Sequence, residues 1–215
     1  MATSGSGRNP TVVLLVRHAR TATTGKQMPG RAPGLVLSPG GRRDAEALGG
    51  RLAGVPRLAA IYSSPLERAR ETAAAIARPR RQAVRIERGL IELDIGRWTG
   101  LALRAARKRP EWTAVQRHPS GFRFPGGESF VEMQARMVAA IGALVARHPG
   151  QTVVAVSHAD PIKAVLAHAL GVPLDLFQRL VVAPASVSAV VYGAAGPAVL
   201  ATNATGDGLG ALLPR

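Results

Sequence analysis

Two of the five histidines stand at the ends of β-branched apolar runs. His18 follows Arg17 after residues 12–16, and His158 follows Ser157 after residues 152–156. A third run, 59–62, ends at Ser63-Ser64, with Arg68 about one turn into the helix expected next. Four potential cations brought together repel one another unless an anion sits among them. A phosphate dianion is such an anion, and the planar fork of arginine holds it through two parallel hydrogen bonds. A neutral imidazole can attack phosphorus and form a covalent intermediate. Fixed cationic donors then stabilise the charge that builds on the equatorial oxygens. The leaving alkoxide needs a proton, and Glu92 is the candidate general acid. It follows the run 83–86 and precedes a glycine-containing turn, Leu93-Asp94-Ile95-Gly96. Each residue also has a plainer reading: a structural histidine, a solvated arginine, a glutamate paired with an arginine. Asp94 competes for the acid role. A metal held by His18, His158 and Glu92 is a further alternative, opposed by the two arginines beside it. His118, His148 and His168 lack such a setting and read as surface or packing residues.

These residues can meet only if the strands that carry them lie side by side. Residues 12–16 are apolar throughout, which suits a strand buried on both faces. Ser38-Pro39 opens a helix to about residue 52, with Ala45, Leu48 and Leu52 at helical spacing. Ser64-Pro65-Leu66-Glu67 reads as a capping box with proline at the first helical position, opening a helix to about residue 77. Residues 128–148 form an amphipathic helix with Phe130, Met133, Met137, Ile141 and Leu144 on one stripe. Asp160-Pro161 opens a helix to about residue 170, and 186–192 and 198–202 read as closing strands. Strands alternating with helices predict an α/β fold: three layers, α/β/α, with a mostly parallel central sheet. Such sheets bind ligands beyond the carboxyl ends of their strands. Helix starts at Pro65 and Pro161 would add positive dipole ends there.

The 215 residues suit one domain over 11–205, with a flexible start at 1–10 and a glycine-rich loose tail at 206–215. Residues 97–127 interrupt the alternation with seven Lys and Arg residues, two tryptophans and three prolines, and read as a partly helical insertion. Apolar residues make up 47% and charged residues 19%, as in a globular chain. No apolar run is long enough to span a bilayer, residues 1–10 lack a secretory apolar stretch, and no cysteine is present. A cytoplasmic protein with no membrane contact is expected by elimination. The net charge of +15 attracts anions. An arginine-rich, Ala/Gly/Pro/Val-rich composition also follows from a GC-rich genome. Aromatic residues are 4% of the chain, which argues against stacking on single-stranded nucleic acid. A duplex-binding reading would rest on charge alone.

The motifs resemble those of the histidine phosphatase superfamily, the phosphoglycerate mutase-like proteins. Leu15-Val16-Arg17-His18 is similar to its Arg-His signature, and the stretch from Ser63 to Ala73 (SSPLERARETA) to its second signature. Glu92 to Gly100 (ELDIGRWTG) resembles the segment that holds the family's acid, and Val156-Ser157-His158-Ala159 its last motif. Leu37 to Gly41 (LSPGG) and Pro125 to Ser129 (PGGES) match as well. The motifs span about residues 12–192 in the family's order, and the subgroup they resemble most comprises actinobacterial phosphomutase- or phosphatase-type proteins.

The resemblance implies a phosphoglycerate mutase-like fold and a phosphorylated His18. It implies Arg17, Arg68 and His158 on the phosphoryl oxygens, and Glu92 as proton donor and then activator of the acceptor. Thr24, Arg31 and Ala159 are the further substrate-binding candidates. No metal or organic cofactor is implied, and a phosphate or sulfate ion would suit the site. Two departures stand out: Ala19 and Ala159 replace glycines, and Thr24 replaces an asparagine. Because alanine tolerates positive φ poorly, both alanines must have ordinary or slightly shifted backbone conformations. The expected activity is hydrolysis of a small phosphomonoester. The alternatives are mutase-type (isomerase) phosphoryl transfer and a non-catalytic phospholigand-binding module. Homodimerisation stays open.

Overall fold

The computed structural model describes residues 9–206. The expectations for the start (1–10) and the tail (206–215) fall almost wholly outside them. A six-stranded sheet has the order β3-β2-β4-β1-β5-β6. Its strands are β1 (Thr11–Arg17), β2 (Leu58–Ser63), β3 (Val84–Ile86), β4 (Thr152–Ser157), β5 (Val187–Gly193) and β6 (Gly196–Ala204). The β3-β2, β2-β4 and β4-β1 pairs are parallel, and β5 and β6 close the sheet antiparallel. The expected mostly parallel sheet is therefore present, with a mixed edge.

Side chains alternate across the sheet, as strand geometry requires. Val12, Leu14 and Val16 pack with α1 (Pro39–Ala53) and α2 (Glu67–Ala77) on one face. Val13 and Leu15 pack with α5 (Phe130–Arg147) and α6 (Ala159–Leu170) on the other. This is the three-layer α/β/α arrangement expected. Residues 97–127 contribute the short helices α3 (Leu103–Ala106) and α4 (Trp112–Arg117). They build a third cluster in which Trp98, Phe124, Phe130 and Phe177 are buried against α6. The two tryptophans of this segment stack on each other, with ring centroids 6.5 Å apart.

Three helix starts differ from expectation. The capping box at Ser64 does not form, and α2 begins at Glu67 without a side-chain cap. The Ser64 N–H donates to Val156 O at 2.9 Å, and its hydroxyl lies 2.8 Å from His158 Nε2. Glu67 turns away to accept from the Gly34 N–H at 3.1 Å. Both partners of the box are thus drawn into tertiary contacts. α6 opens one residue before Asp160, at Ala159. α5 begins at Phe130, after a capping box between Ser129 and Glu132, which leaves Glu128 outside the helix.

Candidate active site

Parallel pairing sets β1 and β4 in register, so that Arg17 lies opposite Ser157, and Ser63 of β2 pairs with Val156. The residues after these strand ends therefore converge. The rings of His18 and His158 meet edge to face, 5.1 Å between centroids. Arg68 Nε donates to His18 Nε2 at 3.3 Å. Glu92 Oε2 lies 3.7 Å from His158 Nδ1. The five residues singled out at the strand ends are brought to one site. Arg68 and His158 are fully buried, and Glu92 keeps 18% of its side-chain surface exposed.

Backbone groups hold four of the five side chains, and Ser64 holds His158. His18 Nδ1 lies 2.8 Å from its neighbour's carbonyl, Ala19 O. A carbonyl only accepts, so Nδ1 carries the proton and Nε2 presents its lone pair to the site. Arg68 Nη2 donates to Gly30 O at 2.8 Å. Gly30 has φ +49°, and a Cβ there would lie 2.7 Å from Ile95 Cγ1, so a side chain would strain the turn that supplies this carbonyl. Thr72 Oγ1 donates to Arg68 O and accepts from the Ala19 N–H, tying the two motifs together. Arg17 Nη1 donates to Val182 O at 2.6 Å. The Arg17 backbone is gripped by the same turn: its N–H donates to Ser186 O and its carbonyl accepts from the Ala185 N–H. Asn203 of β6 pins that turn by accepting from the Ala183 N–H at 2.6 Å. Ser64 Oγ accepts from the Leu66 N–H at 3.4 Å and can donate to His158 Nε2. That direction leaves His158 Nδ1 as an N–H directed toward Glu92.

Among the described residues, Arg17 Nε, Arg68 Nη1 and His158 Nδ1 are buried polar atoms without a hydrogen-bond partner. Buried donors are seldom left unpaired. All three belong to residues close to His18, and an oxyanion there is a partner that would suit them. Burial, then the nearby Arg68 charge, push the His18 pKa down to about 3, so the imidazole is neutral near pH 7. His158 is likewise held well below its ordinary value, by burial first and His18 second. Glu92 moves the other way. Burial and the Asp160 carboxylate raise it to about 7, against the pull of Arg68, the Leu93 N–H and Arg17. The site thus combines a neutral imidazole, fixed cations and a carboxyl that keeps its proton near neutrality. For the metal alternative, no three His, Asp or Glu side chains among the described residues are grouped as metal ligands.

The remaining candidates are placed differently. Thr24 Oγ1 accepts from the Thr21 N–H at 2.9 Å within its own turn. Arg31 lies behind Glu92, donating to Glu92 O at 2.8 Å and to Glu128 Oε2 at 2.8 Å. Ala159 is the first residue of α6, where the N–H of a helix has no intrahelical partner. Neither Ala19 nor Ala159 has positive φ, as their side chains demand. Asp94 Oδ1 accepts from the Gly96 N–H at 2.9 Å and Oδ2 faces Arg31, so its carboxylate is engaged in its own turn. His148 is buried, 2.9 Å from the Tyr62 hydroxyl, whereas His118 and His168 are exposed.

Sequence reasoning missed Glu128, Arg136, Gly30 and the Val182 carbonyl. Glu128 sits in the PGGES motif, which signalled only a match. Arg136 is an ordinary polar-face residue of an amphipathic helix by pattern.

The profile of the histidine phosphatase superfamily (branch 1) matches residues 13–205. The bifunctional protein Rv2228c of Mycobacterium tuberculosis is 35% identical over 207 residues, which cover 94% of this chain and 56% of that protein. The chain thus spans about half the length of the first curated relatives it matches. Phosphoserine phosphatase 1 of Hydrogenobacter thermophilus is 36% identical over 170 residues, 77% of this chain and 79% of the relative. Among solved structures, the mycobacterial glucosyl-3-phosphoglycerate phosphatase Rv2419c superposes with a TM-score of 0.81 at 26% identity, covering 92% of this chain and 99% of that one. Bacillus stearothermophilus YhfR does so with a TM-score of 0.82 at 30% identity, covering 88% and 95%. In sequence, motif order and fold alike, the chain belongs to branch 1 of the histidine phosphatase superfamily.

Proposed function

We propose that the chain is a phosphomonoester hydrolase that acts on a small phosphorylated metabolite through a phosphohistidine at His18. The observation that carries this reading is the trio of unpaired buried donors, on Arg17, Arg68 and His158, in residues grouped about a neutral His18 imidazole. His18 Nε2 attacks phosphorus as the ester P–O bond breaks, and the three donors take the charge on the equatorial oxygens. Glu92 gives its proton to the departing alkoxide. Its carboxylate then accepts a proton from water as that water attacks the phosphohistidine, which frees inorganic phosphate and restores His18. The relatives that are phosphoserine and glucosyl-3-phosphoglycerate phosphatases support small phosphometabolites as the substrate class.

The test is steady-state release of phosphate from p-nitrophenyl phosphate and from a panel of phosphorylated metabolites. Replacing His18 with alanine is expected to abolish turnover while leaving the fold intact by circular dichroism. Unchanged activity would refute the nucleophile assignment. Conversion of 3-phosphoglycerate to 2-phosphoglycerate without release of phosphate would instead support the mutase alternative.

A further inference from the structure

We propose that Glu128 is the positioning residue of the general acid: its carboxylate locks Arg31 and Arg136 onto the backbone that carries Glu92. The proposal rests on the phosphomonoesterase reading above, in which Glu92 protonates the leaving group.

Glu92 lies on an irregular segment between β3 and the turn at Gly96, with no ladder of its own to hold it. The inward carbonyls of such a segment need donors from elsewhere. Arg136 of α5 supplies them, with Nη1 at 2.6 Å from Gly89 O and 2.9 Å from Ile91 O. Arg31 Nε donates to Glu92 O at 2.8 Å, and Arg136 Nη2 approaches the same oxygen at 3.5 Å. Two guanidinium groups so close repel each other, and both are largely buried, with 29% and 22% of their side-chain surface exposed.

The Glu128 carboxylate stands between them. Arg136 grips it with a two-pronged contact, Nε to Oε1 and Nη2 to Oε2, both 3.0 Å. Arg31 Nη2 donates to Oε2 at 2.8 Å, and the Asp94 N–H donates to Oε2 at 3.1 Å. Glu128 is itself fixed to the same segment, because its own N–H donates to Asp94 O at 2.8 Å. That approach needs Gly127, where a Cβ would lie 2.2 Å from Asp94 O. Burial opposes the charged form of Glu128, but the Arg136 and Asp94 hydrogen bonds outweigh it and hold the pKa below the usual carboxylate value. Glu128 is therefore ionised at the pH where Glu92 is protonated. One carboxylate holds a charge that organises the site, and the other keeps a proton to spend.

Glutamine at 128 keeps the shape but loses the charge, and its amide N–H₂ would face a guanidinium. The Glu92 backbone then loses a fixed donor, and the acid swings from its place. A role in fold stability alone would lower activity on every ester alike. Loss of acid positioning slows only esters whose leaving group needs a proton. The experiment measures kcat/KM, which covers the steps through phosphoryl transfer to His18. The substrates are β-glycerol phosphate, an alkyl ester, and 2,4-dinitrophenyl phosphate, whose leaving group departs as an anion.

Glu92→Gln is expected to slow the alkyl ester by roughly 10²–10⁴-fold and the activated ester far less. Glu128→Gln is expected to show the same selectivity, at least about tenfold. It should also blunt the alkaline fall of the alkyl-ester profile. If Glu92→Gln discriminates between the esters and Glu128→Gln slows both equally or neither, the positioning role is overturned and the acid stands. If Glu92→Gln does not discriminate, the acid assignment falls and takes the positioning role with it. Should Glu128→Gln fail to fold, Glu128→Asp, which keeps the charge and retracts it by one carbon, is read by the same criterion.

Discussion

At the scale of single residues, two ionisation constants in the site move in opposite directions. Burial dominates both, but it favours a neutral imidazole at His18 and a neutral carboxyl at Glu92. Asp160 is the carboxylate that adds to the second effect. It sits in the first turn of α6, two residues past His158, with Lys163 Nζ 3.4 Å away. Around Glu92, the Arg17 and Arg68 cations and the Leu93 N–H pull the other way, and His158 stays neutral. If Glu92 is the proposed acid, it acts only while protonated, so kcat/KM for an alkyl ester is expected to fall as pH rises through its pKa of about 7. Asp160→Asn removes a contribution that raises this pKa. The alkaline limb of the profile is expected to move to lower pH, while activity on 2,4-dinitrophenyl phosphate holds. A limb that stays put would show that Asp160 does not act on Glu92.

At the scale of elements, the strands and their ends were legible and the connections were not. Continuous β-branched runs mark buried parallel strands, and the rule that ligands bind beyond carboxyl ends turned Arg17-His18, Ser63-Ser64 and Ser157-His158 into one site. The capping box expected at the start of α2 misled, because its two members, Ser64 and Glu67, were drawn away by tertiary partners. The loop around Arg31 and the segment around Glu92 carried no periodic signal. Their shape is set by bonds between residues far apart in the chain, such as Arg31 with Glu92 and Arg136 with Gly89. Gly30 is a further example, since nothing in its neighbours announces that its carbonyl will hold Arg68. Alanine at this position meets both a φ of +49° and a close Ile95 side chain. Gly30→Ala is expected to lose about 1–3 kcal/mol in urea unfolding and to depress kcat/KM beyond what the folded fraction explains. If activity tracks the folded fraction alone, the carbonyl does not orient Arg68.

At the scale of the whole molecule, the buried histidines sit together at the carboxyl ends of the central strands β1 and β4. His18 and His158 are buried neutral in the native state but free to take protons when the chain unfolds. With His18 at about 3 folded and its ordinary 6.5 unfolded, the unfolded state binds more protons anywhere between these values. Stability contributed at neutral pH is thus lost progressively as pH falls below about 6.5. Thermal unfolding in phosphate-free buffer is expected to show this decline between pH 7 and pH 4, and to show less of it in His18→Asn. An identical pH dependence in the two proteins would place the acid sensitivity elsewhere.

The turn that grips Arg17 also joins the two ends of the folded chain. Asn203 on the last strand holds the Ala183 N–H, and residues 182–186 hold the backbone and guanidinium of Arg17 on the first. The outermost strand, which contributes no side chain to the reacting centre, is therefore the mooring of its first arginine. A shortened chain that stops before Asn203 could keep every residue of the motifs and still let the anion grip go slack.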